Sequence, residues 1–147
     1  MRDLGNNLIP VASLLPQLAS GNGTTTNSTG VNLVGFEGAL MVLSAGAEGD
    51  TLSASLKYTV KLQHSTDDST YTDVAQSDVT DATLASGVWL TLDAAADVSQ
   101  SYAIGYIGGN QYVRVEIVRT GNHATGTPLS AVVLKGYPHH AGGASSN

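Results

Sequence analysis

The chain contains no cysteine, only 6 lysines and arginines, and aromatic residues at just 5%. Each shortage removes a class of chemistry or partner. Without cysteine there are no disulfide staples, no thiolate metal ligands and no cysteine nucleophile. Six cations against 12 acidic residues leave a formal charge of −6, so there is no basic stripe to neutralise a phosphate backbone or an anionic membrane surface. No run approaches the roughly 18 apolar residues of a membrane span. Direct contact with nucleic acid or membrane is therefore not expected. Charged residues make up only 12% of the chain, too few to clothe the outer faces of helices.

What is present is strand-and-turn material. Gly, Ser, Thr, Ala and Val are abundant, and 41% of the 147 residues are hydrophobic, enough for one domain with one core. The opening MRDLGNNLIPVASLLPQLASG sets Arg2 before an apolar patch, yet Asp3, Asn6 and Asn7 break the basic start and Pro10 and Pro16 divide the apolar part. It does not read as a signal peptide, and synthesis in the cytoplasm is expected.

Residues 1–20 read as an extended arm, because Pro10 and Pro16 bias their predecessors away from helix. Leu4, Leu8, Ile9, Val11, Leu14, Leu15 and Leu18 make this arm too apolar for water. It lacks the alternation of a strand lying on its own sheet, so it is expected to leave the domain, and these seven residues are the candidate interface with a partner. GNGTTTNSTG at 21–30 reads as a polar linker. Candidate strands follow at 31–36, 39–46, 53–65, 70–74, 88–92, 102–107, 111–118 and 129–137. In the third, Leu56, Tyr58, Val60, Leu62 and His64 share one face; in the seventh, Val113, Val115 and Ile117 oppose Arg114 and Glu116. Residues 46–50, 108–110 and 121–126 supply turn residues, and 78–87 has room for a helical turn. The fold expected for 31–138 is all-β, a β-sandwich or jelly roll. Residues 139–147 form a Gly- and Ser-rich tail.

Few residues invite chemistry. Asp67, Asp68 and Asp73 lie between two alternating strands without the spacing or the glycine of a calcium loop, so they read as a hairpin turn. His139 and His140 precede the tail, His123 lies in an expected loop, and His64 ends the inward face of a strand as a rim residue. No metal site, catalytic group or cofactor is expected, since no nucleophile elbow or phosphate-binding glycine pattern occurs. Trp89 and the tyrosines admit a sugar-stacking platform; for Tyr58, Tyr102 and Tyr106, at strand positions with apolar period-two neighbours, core or sheet-face packing is the plainer account, and Trp89 fits either side.

The strand-turn-strand YTVKLQHSTDDSTYTDV, the later YAIGYIGGNQYVRVEIV and the start MRDLGNNL resemble small proteins encoded beside the major capsid protein in tailed bacteriophages. Lys61, Leu62, Gln63, Ser65, Asp67, Tyr71, Asp73 and Val74 are similar to one motif of that family. Tyr106, Ile107, Gly108, Tyr112, Val113, Arg114 and Val115 are similar to another. The resemblance runs to about residue 118. It implies a head decoration, or cement, protein: a trimer on the outer surface of the capsid within the virion, partnered by the major capsid protein, with no active-site residues. Acidic charge suits the outside of a shell better than a lumen packed with DNA. The runner-up is a carbohydrate- or receptor-binding module of a phage fibre.

Overall fold

The computed structural model describes residues 4–24 and 28–139. Nine strands are hydrogen-bonded into one curled antiparallel sheet: β1 (Leu8–Thr24), β2 (Val31–Asn32), β3 (Phe36–Ala45), β4 (Lys57–Ser65), β5 (Thr72–Asp73), β6 (Val79–Thr80), β7 (Val88–Leu92), β8 (Gln100–Tyr106) and β9 (Tyr112–Pro138). The fold is all-β and sandwich-like, as expected. Two 3-10 turns, Gln76–Asp78 and Ala95–Asp97, are the helical elements among the described residues. The first ends on Asp78, where the stretch with room for a helical turn begins.

β9 organises the molecule. Its first half pairs with β4, from Lys57↔Thr120 to Ser65↔Tyr112, and its second half pairs with β3, from Ala45↔Leu129 to Phe36↔Pro138. One layer therefore runs β6-β8-β3-β9-β1, and the other places β5 and β7 beside β4, then β9. The core lies between them. Alternation sends Met41, Leu43, Ile104, Ala131 and Val133 inward from the first layer and Tyr58, Val60, Leu62, Val113, Val115 and Ile117 inward from the second, all fully buried.

Residues 121–126 do not separate two strands as expected. β9 continues through them and bends, with Gly121 at φ 79° and Gly126 at φ 83°. A side chain at Gly126 would also meet the Ala19 backbone at 2.9 Å, so the corner accepts only glycine there.

The amino-terminal arm is extended, but it does not leave. β1 runs along β9 from Leu8↔Gly136 to Thr24↔Val118, taking in most of the expected linker that the structure describes. Its alternation is hidden in the sequence because the register shifts between Ala12 and Leu14 and again between Leu14 and Gln17. Each shift holds one extra residue on β1 and reverses which positions point inward. Pro10 and Pro16 are tolerated because β1 is an edge strand, where a missing N–H faces no ladder partner. Ser13, at the first shift, is buried; its hydroxyl donates to the Thr29 carbonyl at 3.2 Å and accepts the Val115 N–H at 3.0 Å.

Candidate interaction surface

The aspartate cluster is a turn in structural detail. The Asp67 carboxylate accepts the Ser65 hydroxyl at 2.8 Å and the N–H groups of Ser69 and Thr70 at 2.9 and 2.8 Å. The Thr70 and Ser69 amides, with that hydroxyl, hold its pKa below the usual carboxylate range. Asp68 takes the left-handed conformation at φ 58° that such a turn needs, and its carboxylate accepts the Tyr71 hydroxyl.

Beside the turn, residues of both family-like motifs meet on the outer face of β4 and β9. The Arg114 guanidinium donates to Gln63 Oε1 at 2.9 and 2.7 Å, Gln63 donates to Asp73 at 3.3 Å, and Lys61 pairs with Asp73 at 2.8 Å. The same guanidinium lies 3.8 Å from the centre of the Tyr71 ring. Burial raises the Asp73 pKa, but the hydrogen bonds from Lys61 and Gln63 outweigh it and leave it lowered. Gln63, Asp73, Lys61 and Arg114 are thereby engaged with one another. They build a hydrogen-bonded scaffold on this face.

The histidines scatter. His64 Nδ1 lies 3.1 Å from the Tyr106 hydroxyl, which also accepts the Asn110 N–H, the rim role expected of it. His123 was expected in a loop and is instead buried at the β9 corner, stacked on Tyr58. Gly121 and Gly126 bend the strand there and turn a polar-looking segment inward. His139 sits 3.7 Å from Glu37, and His140 lies outside the described residues. Tyr58 and Tyr106 are buried and Tyr102 packs half-buried against the core, as the plainer account of these tyrosines has it, and Trp89, left open by the sequence, is buried as well.

The seven candidate interface residues divide. Leu4, Leu15 and Leu18 are exposed, at 68%, 68% and 55%. Leu15 is lifted outward by the extra residue between Leu14 and Gln17. Leu8, Ile9 and Val11 are half-buried along β9. Leu14 is only 1% exposed and belongs to the chain's own core, so it is corrected: it is not available to a partner in this fold.

One surface escaped the sequence reading. The outer face of the first layer is apolar in successive rows: Pro10, Leu134 and Leu40 lie side by side across β1, β9 and β3, as do Ala12, Val132 and Val42, followed on β8 by Ala103. The signal was there, since LMVL in β3 and AVVL in β9 are apolar on both faces, the pattern of a sheet covered on both sides. At one end, a groove of about 670 Å³ opens between Leu4, Leu8, Ile107 and Tyr137, floored by Gly38, Gly105 and Gly136.

The chain has no significant match to any protein-family model or to any curated protein.

Proposed function

We propose that this chain is a structural decoration protein of a tailed-phage head, seated on the outside of the shell and bridging neighbouring major capsid subunits. The observation that supports the reading is the fate of the residues that carry the resemblance. Lys61, Gln63, Tyr71, Asp73 and Arg114 form one outer-face network, and Ser65 and Asp67 close its turn. Leu62, Val74, Val113 and Val115 fill the core beneath it. A protein whose motif residues build a rigid scaffold acts through its surface.

Leu15 and Leu18 are the contacts assigned to the shell. Both are exposed and both sit on a strand that β9 already orders, so docking them costs little conformational entropy. Burying one such leucine contributes roughly 1.5–3 kcal/mol at most. That is weak for one contact and adequate for several acting together, since later contacts become intramolecular after the first.

The test is co-sedimentation of the purified protein with expanded heads that lack it. The wild-type chain is expected to saturate the heads, and a Leu15→Ser, Leu18→Ser double variant to stay folded and remain in the supernatant. Full occupancy by the double variant overturns the assignment of these two residues. No binding by the wild type overturns the reading itself.

A further inference from the structure

We propose that the free edge of β8 binds an extended segment of another polypeptide, one that carries lysine or arginine near each end, as an added strand of the first layer. The edge is defined by the chain's own hydrogen bonding, whether or not the chain sits on a phage head.

β8 pairs with β3 along its whole length, from Ala45↔Gln100 to Ala39↔Tyr106, without a register shift. Its other side is taken only at one end, where β6 contributes Thr80↔Gly105 and Val79↔Tyr106. There the Ile107 N–H donates to the Asp78 carbonyl at 2.9 Å. Backbone groups alternate in direction along an antiparallel strand, so this bond sets the pleat: the N–H and C=O groups of Ser101, Ala103 and Gly105 point away from β3. Gly105 meets Thr80. Asp81, left-handed at φ 67°, then ends β6. The Gln76 carboxamide holds the residues that follow, donating to the Ala82 carbonyl at 3.0 Å and accepting the Leu84 N–H at 2.6 Å. Among the described residues no strand takes the rungs at Ser101 and Ala103, and both residues are exposed.

An open edge is a template for another chain, and folded proteins blunt such edges with proline, bulges or charge on the strand. β1, at the far side of the layer, has Pro10, Pro16 and several register shifts. β8 has none of these devices between Gln100 and Gly105. An added strand meets the outward backbone groups of Ser101 and Ala103, which supply the main-chain bonds of strand addition. The small side chains of Ser101, Ala103 and Gly105 leave its own side chains room on the outer face.

Charge selects the occupant. The chain has no lysine or arginine between Lys61 and Arg114, whereas seven of its 12 acidic residues lie there. Two of the seven flank the open rungs. Asp81 is exposed, with Oδ2 3.9 Å from the place a Cβ on Gly105 would take. Asp97 stands at the other end, where its carbonyl accepts the Tyr102 hydroxyl at 2.8 Å. Ser101 and Gly105 are roughly 13 Å apart at about 3.3 Å per residue, so a strand with cations about four residues apart brings one to each aspartate. A second copy pairing edge to edge brings aspartate to aspartate instead, and like charges repel.

Hydrogen exchange followed by NMR tests the proposal with two short synthetic peptides of alternating valine and threonine, one with lysine at each end and one with glutamate. At about ten times its Kd the lysine-ended peptide should slow exchange of the Ser101 and Ala103 amides about tenfold. The glutamate-ended peptide should leave them unchanged. Ala103→Pro removes an outward N–H at an edge position, where proline is tolerated, and should abolish binding with the fold intact by circular dichroism. Asp81→Asn keeps a residue that accepts positive φ and should weaken binding even if Ala103→Pro fails to fold. Exchange unaffected by the lysine-ended peptide, equal protection by both peptides, or wild-type affinity in a folded variant overturns the proposal. Self-association of the wild type that Ala103→Pro removes would give the edge to a second copy and overturn it too.

Discussion

Tyr58 and His123 stack with ring centroids 4.1 Å apart and planes inclined by 25°, and their contact fixes the corner where β1 and β9 pass from one layer to the other. His123 Nε2 faces the Lys57 and Thr120 carbonyls at 3.3 and 3.2 Å, which marks that nitrogen as the donor. The Tyr58 hydroxyl donates to the Ala19 carbonyl at 2.8 Å and accepts the Thr127 N–H at 3.0 Å. Ala19 and Thr127 are opposite each other across β1 and β9, so this hydroxyl stands in for a direct ladder bond. Desolvation raises its pKa, in keeping with a hydroxyl that stays neutral and donates.

Tyr58→Phe removes that bridge while preserving the ring. Two buried backbone groups lose their partner, each worth about 1–3 kcal/mol, so urea unfolding should show a loss of roughly 2–6 kcal/mol. A change below about 0.5 kcal/mol, the range of an unremarkable surface substitution, would mean that the corner is held by something else.

Neighbouring leucines on β1 should differ sharply. Leu14 is buried and Leu15 is exposed, so Leu14→Ala should cost about 2–5 kcal/mol and Leu15→Ala less than about 0.5 kcal/mol. Comparable losses for the two, read from denaturant midpoints, would contradict the bulge that separates them. By the same logic, deleting residues 1–20 should unfold the chain, since it removes Leu14, Ala19 and the Ser13 hydroxyl that satisfies Val115.

Asp50 clasps the corner from outside. Its carboxylate accepts the Gly126 N–H at 2.7 Å and the Thr125 N–H at 3.0 and 3.1 Å. The Gly126 amide is the main reason its pKa lies below 3.8. A lowered folded-state pKa contributes stability that is fully present above the unfolded-state value and disappears as pH falls through the folded-state one. Asp50→Ala should therefore lower Tm at pH 7, and the difference from wild type should shrink below about pH 4. A Tm difference that stays constant from pH 7 to about pH 2 would exclude the carboxylate as its source.

Much of this fold was legible. β4 and the first half of β9 alternate cleanly, and the structure pairs them with Val60 opposite Ile117 and Leu62 opposite Val115. The Asp67 turn followed from Asp and Ser chemistry. β1 was not legible as a strand of its own sheet, because bulges at Ser13 and at Leu15-Pro16 scramble its period. Gly121 and Gly126 promised a turn and delivered a bend, since a positive φ serves both. The outer face of β3 and β9 was hidden for the opposite reason: with apolar residues on both sides, alternation says nothing about which side is the core.

The head-surface role is the central claim, and location decides it most directly. Under the proposed role, phage particles from the source of the chain should be separated into heads and tails and probed with an antibody to this protein. The account predicts that the protein appears with intact heads and on their outside, open to protease while the genome stays packaged. Its recovery with tails alone, or its absence from particles, would contradict the account.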